Sequence, residues 1–419
     1  MAIQVNIDPV LSSRVKAAWK LLSADQKAQL APAMLAANSQ AIQVAQTGTA
    51  PQDLATPHTL TLATSALSGD RDAVVSSVDA AAPAVVGPDG VIWGVGKWEQ
   101  FDPGWVEAFA VYLESLIAGR HTFVTAPQTV TIPNNLTIGL AGDWGTGDWR
   151  TMSNPAPSTD VGYHMSLLNL DITIHLGDVY YAGTADQEQH LLIAIWPKGQ
   201  IGSFALNSNH EMYSGAKPYF QAINGSPFDQ QAGCSYFALE NDNWIIVGLD
   251  SAFFSPWEGL YMDGRIFPEG RPNEQNSFLL QKATVAQTSG KKVIVLTHHN
   301  GLNDTGMASN ILFDQVMNAF PGGGGPAYWY YGHEHIAAVY QPFGPRDILC
   351  RCCGHGGLPW GQSSDLANSP NVVWYEHRLA NDPDIPQRVF NGFVVLSFDG
   401  TDIQETFYDE NGGVAWQSP

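Results

Sequence analysis

The rhythm of hydrophobic and polar positions changes near residue 130. Before it, apolar residues recur at helical spacing. Trp105, Ala108, Phe109, Tyr112, Leu113 and Leu116 share one face, with Asp102-Pro103 read as N-cap and first turn and Gly119 as the stop. Further upstream, Ser23 and Gln26 form a capping-box pair ahead of KAQLAPAMLAAN. Residues 47–90 are rich in Ala, Ser and Thr and only weakly periodic. Residues 1–125 are therefore expected to be a helical region without a catalytic constellation, packed on the rest of the chain or on a partner.

After the proline-bearing join TAPQTVTIPNN (125–135), strand-length apolar runs take over. They fall at 136–142, 171–177, 243–249, 291–297, 327–332 and 347–354, with helical candidates at 276–287 and 307–320. This alternation predicts an α/β sheet architecture over 126–419. Past residue 390 the chain reads as antiparallel strands with Asp399-Gly400 and Asn411-Gly412 turns. PGGGGP (321–326) reads as a flexible loop before a strand.

The 419 residues are 44% hydrophobic, enough for a large core. With 40 acidic and 19 basic side chains, the formal charge of −21 argues against nucleic-acid or anionic-membrane partners. It would also repel an anionic substrate unless a local positive centre overrides it. No apolar run reaches the roughly 18 residues of a membrane span. The start, MAIQVNIDPVLSSRVKAAWK, lacks a signal-peptide pattern, so a cytoplasmic location is expected, or secretion if a leader has been trimmed. CRCCGH (350–355) could supply thiolate ligands, but no second cysteine cluster completes a tetrahedral set. A buried strand with small apolar thiols is the alternative.

The chemistry sits after the strands. Asp143 follows 136–142, Asp178 and Tyr181 follow 171–177, and NSNHE supplies Asn209, His210 and Glu211. His298 and His299 follow 291–297, and His333 and His335 follow 327–332. Ligands of open α/β sheets bind at the carboxyl ends of strands. Each signal alone is a turn, a cap or a packed aromatic. Together, five segments deliver hard oxygen and imidazole donors to one edge, which predicts a metal site.

In this order the motifs resemble those of the metallophosphoesterase superfamily, the calcineurin-like phosphoesterases, and within it the purple acid phosphatases. The pattern stands here as Gly142-Asp143-Trp144-Gly145, Gly177-Asp178 with Tyr181, Ser208-Asn209-His210-Glu211, Val295 to His298, and Gly332-His333-Glu334-His335. The resemblance spans about 140–400. It implies a metallophosphoesterase-type αββα sandwich of two mixed sheets flanked by helices, with the N-terminal helical region as an addition. Ser208 replaces the family's glycine, so its backbone must not need a strongly positive φ.

The resemblance also implies a dinuclear centre. One metal would take Asp143, Tyr181 and His335, the other Asn209, His298 and His333, with Asp178 bridging. Carboxylates and a phenolate suit Fe(III), and neutral donors suit a divalent Fe, Zn or Mn. Three anionic ligands against such a pair leave the centre positive, able to hold a small phosphorylated substrate. The implied reaction is phosphomonoester hydrolysis by a metal-bound hydroxide, with His210 as general acid or stabiliser. Glu211 would orient His210 or a ligand, while His299 and His355 are candidate substrate or supporting contacts. Asp250 reads as structural. A phosphodiesterase with a Mn, Zn or Fe pair is the alternative, and a non-catalytic binding module of the same fold is a third reading.

Overall fold

Two packed sheets explain the apolar runs. In a computed structural model, which describes residues 5, 7–51, 57–68 and 84–419, one sheet has six strands. Their order is β16 (Val414–Gln417), β15 (Asp402–Asp409), β14 (Gly392–Asp399), β4 (Asn135–Ala141), β5 (Ile172–His175) and β6 (Gly202–Ala205). The other has eight: β13 (Val372–Tyr375), β11 (Ala337–Tyr340), β12 (Leu349–Cys353), β10 (Tyr328–Tyr331), β9 (Lys292–Leu296), β8 (Trp244–Gly248), β7 (Phe237–Glu240) and β3 (Thr129–Thr131). Both sheets mix parallel and antiparallel pairs. Ile138, Leu140, Ile172 and Ile174 of the first pack with Ile246, Ile294, Leu296 and Tyr330 of the second in one buried cluster. Inner strands covered on both faces need unbroken apolar runs rather than alternation.

The six expected strands stand within two residues of their expected limits. The antiparallel closing strands form, with Gly400 and Gly412 at positive φ in their turns. β6, with sequence GSFA, and β7, with FALE, were not expected, because neither carries a long apolar run. The expected loop at 321–326 begins as a short 3-10 turn, Pro321–Gly323.

The N-terminal third is helical where it is described. It comprises α1 (Pro9–Leu21), α2 (Ala24–Thr47), α3 (His58–Thr61), α4 (Ala63–Ser68) and α5 (Trp105–Ala118), with the short antiparallel pair β1 (Val85–Val86) and β2 (Ile92–Trp93). The Ser23–Gln26 capping box forms. Asp102 does not cap α5 as expected. The helix begins two residues later, at Trp105, because the Asp102 carboxylate instead accepts from the Gly104 and Trp98 backbone N–H groups, both at 2.8 Å. Part of the weakly periodic stretch, residues 52–56 and 69–83, lies outside the described residues, as do residues 1–4 and 6 of the start. Outside the sheets, α6 (Pro157–Leu167) packs on β14. α7 (Asn209–Tyr213) opens the loop after β6 and packs on α5. α8 (Glu274–Ser289) packs on β8 and β9, and α9 (Ile311–Asn318) precedes β10.

Candidate metal centre

The two sheets bring their strand ends to one place. Asp143 leaves β4, Asp178 leaves β5, Asn209 opens α7 after β6, His298 leaves β9, and His333 and His335 leave β10. Four of these six residues hold positive φ: Asp143 (55°), Asp178 (76°), His333 (72°) and His335 (50°). Non-glycine residues adopt this region at a cost, and such strain clusters where side chains must be aimed at a site. Two glycines clear the space. A Cβ on Gly177, at φ 105°, would lie 2.6 Å from His298 Nδ1, and one on Gly354 would lie 2.7 Å from Asp143 Oδ2. Close backbone approach by the GHGG loop was expected and is present.

Asp178 is the hub. Its Oδ2 accepts from the Tyr180 hydroxyl at 2.8 Å and lies 4.0 Å from His335 Nε2. The same hydroxyl is 3.3 Å from Asp143 Oδ1 and 3.1 Å from His335 Nε2. On the other side, Asp178 Oδ1 lies 3.3 Å from His298 Nε2. That nitrogen is in turn 2.9 Å from Asn209 Oδ1 and 3.3 Å from His333 Nδ1. One carboxylate thus faces two donor sets, one with each oxygen. Ligand atoms of Asp143, Asp178 and His298 all lie within 4.8 Å of one another, as do those of His298, His299 and His333.

The electrostatics suit cations. Asp143 and Asp178 are completely buried, and among the described residues no lysine or arginine bonds to either carboxylate. Burial, then the charge of Asp178, pushes the Asp143 carboxyl well above the usual range. Burial opposes ionisation of Asp178 too, but His210, His298 and hydrogen bonds from Asp143 and Ser208 hold it well below that range. Burial lowers His298, takes His333 to about 3 and lowers His335 strongly, so all three are neutral with lone pairs free to bind a metal. His335 Nδ1 is buried without a partner among the described residues. Paired buried carboxylates beside neutral imidazoles are a donor set that metal ions fit.

The neighbours support this arrangement. His298 Nδ1 lies 2.8 Å from the Leu176 carbonyl, fixing the tautomer that presents Nε2. His210 Nδ1 lies 2.6 Å from the Tyr181 carbonyl, so its proton sits there and Nε2 faces the centre, 3.9 Å from Asp178 Oδ2. Ser208 is extended, at φ −134°. Its hydroxyl lies between the carboxyls of Asp178 and Glu211 and accepts from the His210 backbone N–H at 3.0 Å. Glu211 also accepts from the Asp178 backbone N–H at 3.3 Å, so it steadies the hub residue rather than the His210 ring.

Several expectations change. The Tyr181 hydroxyl does not join the other donors. It donates to Asp102 at 2.7 Å, beside Lys97, and its ring packs on Trp98 at 4.4 Å and Trp105 at 5.0 Å. Those partners belong to the N-terminal third and leave Tyr180 to face the carboxylates. Both His299 ring nitrogens are occupied, by the Ser251 hydroxyl at 2.9 Å and the Tyr261 carbonyl at 2.8 Å, so the ring supports rather than binds substrate. His355 stacks on Phe407 at 6.2 Å and lines a small cavity with His335 and Trp360. Asp250 is structural, accepting from the Ala252 and Phe253 N–H groups and from Asn207. Cys350, Cys352 and Cys353 are buried thiols of β12.

The N-terminal third, expected to carry no site residues, roofs the centre. The ring of His58 lies 5.7 Å from His335, and Trp105 lies 5.9 Å from His210. Neither carries a motif; only the tertiary contact reveals them. Among the described residues no helix is long and apolar enough to cross a membrane.

Comparison with known proteins bears on the fold. The family model described as calcineurin-like phosphoesterase matches residues 136–337. No curated protein matches the chain at the level of sequence. A purple acid phosphatase from yellow lupin (Lupinus luteus) seeds is similar in structure, with a TM-score of 0.50 and 14% identity over 68% of this chain. The chain spans 54% of the lupin protein's length. A dimetal phosphatase from Danio rerio matches 65% of this chain and 95% of its own, at 10% identity and a TM-score of 0.43. Residues 136–337 thus match the calcineurin-like phosphoesterase family model within a two-sheet fold similar to that of the lupin phosphatase, and helices precede the matched region.

Proposed function

We propose that the protein is a dinuclear-metal phosphohydrolase of purple acid phosphatase type, acting on small phosphomonoesters. The observation that carries this reading is Asp178, whose two oxygens face separate donor sets. Asp143, Tyr180 and His335 would hold one ion, Asn209, His298 and His333 the other, and Asp178 both. Tyr180 takes the part expected of Tyr181. A phenol among carboxylates supports Fe(III) at the first position, and the amide and imidazoles support divalent Fe, Zn or Mn at the second. Such a pair supplies polarisation of the phosphoryl oxygen and a water of lowered pKa. His210, fixed through Nδ1, directs Nε2 at the centre and when cationic holds the proton the leaving oxygen needs. Glu211 and Ser208 keep Asp178 aimed. The roof of Trp98, Trp105 and His58 favours a compact monoester over a diester with two bulky arms.

Elemental analysis, a visible spectrum and turnover of a monoester beside a diester test this together. Two metals per chain, a tyrosinate-to-iron band and monoester preference are expected. A colourless active protein removes Fe(III), diester preference removes the substrate class, and two bound metals without turnover remove the catalytic reading.

A further inference from the structure

Residue 58 lies outside every motif, yet its side chain stands at the centre. The His58 ring packs between Trp105 at 5.1 Å and Trp360 at 6.1 Å and lies 5.7 Å from His335. Its Nδ1 is buried and has no hydrogen-bond partner among the described residues. Leaving such a group unpaired is costly, and native structures rarely do so without a ligand, water or ion to meet it. Trp105, against which it packs, also lies 5.9 Å from the ring of His210, the candidate acid. The next residue, Thr59, is buried and its hydroxyl influences Tyr213, whose own hydroxyl is 3.5 Å from Asn209 Nδ2. The short helix α3 therefore reaches the centre through His58, whose ring lies against His335.

We propose that His58 is a substrate-binding residue of the phosphohydrolase site, donating an imidazole N–H to a phosphoryl oxygen held on the centre. This rests on the reading of the site given above. A neutral imidazole suffices as donor, because phosphate oxygens accept strongly. The two tryptophans fix the ring, so little side-chain freedom is lost when the anion arrives. The N-terminal third thereby becomes part of the specificity-determining surface.

The test uses the metal-loaded full chain and the variants His58→Phe, which keeps ring packing but not the donor, and His58→Gln, which keeps a donor. Metal content, KM and kcat on p-nitrophenyl phosphate, and inhibition by inorganic phosphate are measured. His58→Phe should retain both metals and weaken phosphate inhibition and KM by about tenfold, with kcat changed less, as for one lost hydrogen bond to a charged group. His58→Gln should recover most of that loss. Wild-type phosphate inhibition and KM in His58→Phe would overturn the proposal and leave His58 a packing residue. If the phenylalanine variant misfolds, nitrogen-15 histidine spectra of the zinc-loaded wild type decide, since bound phosphate must shift the His58 signal and an unmoved signal rejects the contact. If the wild type binds phosphate without turnover, the phosphohydrolase reading fails, while phosphate affinity in the same variants still decides His58. If it binds none, both fail.

Discussion

The Tyr180 hydroxyl donates to Asp178 Oδ2 at 2.8 Å, whereas the hydroxyl of its neighbour Tyr181 donates to Asp102 at 2.7 Å. Two adjacent tyrosines therefore belong to different networks. Burial and the charges of Asp178 and Asp143 raise the Tyr180 phenol well above its ordinary value, so it ionises only beside a bound cation. Tyr180→Phe is expected to abolish the tyrosinate-to-iron band, and Tyr181→Phe to leave it in place. Visible spectra of the two iron-loaded variants check this, and a band lost only in Tyr181→Phe would return the ligand to the spacing that the sequence suggested.

Removing the hub should weaken both positions. Asp178→Ala deletes the carboxylate that faces His335 on one side and His298 on the other. Metal per chain should fall from two to one or none, and turnover should drop by about a thousandfold or more, the scale of losing a metal-based mechanism. Elemental analysis beside a monoester assay reads it, and unchanged metal content refutes the shared position.

The two-sheet half was largely legible because its strands carry unbroken apolar runs and the candidate ligands sit at their ends. Asp143, Asp178, Asn209, His298, His333 and His335 all converge as the spacing implied. Tyr180 was not legible, because what draws Tyr181 away is Asp102 and Trp98, some eighty residues upstream and tied to no motif. His58 escaped for the same reason: a lone histidine in a weakly periodic stretch acquires meaning only when α5 and α7 dock. Asp102 looked like a helix cap, since Asp-Pro reads locally, while its tyrosine partner is remote.

His210 touches the centre without belonging to either donor set. Its Nδ1 is tied to the Tyr181 carbonyl and its Nε2 lies 3.9 Å from Asp178 Oδ2. His210→Ala should keep both metals and lose about 10²–10⁴ in kcat, the usual range for a positioned proton donor. The loss should shrink for substrates whose leaving group needs no proton. Wild-type kcat on an alkyl phosphate would remove His210 from the reaction.

Glu188 gives a pH dependence of stability. It is 2% exposed, both carboxyl oxygens lack partners among the described residues, and burial raises its pKa to about 8. Nearby Glu211 is raised too, first by burial and then by Glu188. A folded value above the unfolded one means that the contribution is fully present below pH 4.5 and is lost as pH climbs to about 8. Within that window a single such group costs about 1.4 kcal/mol per pH unit. Glu188→Gln removes the titration while keeping the shape, so the variant should gain on the wild type steadily from pH 5 to 8. Denaturant unfolding of both proteins across that range measures it, and parallel profiles would show that Glu188 is already ionised in the folded protein.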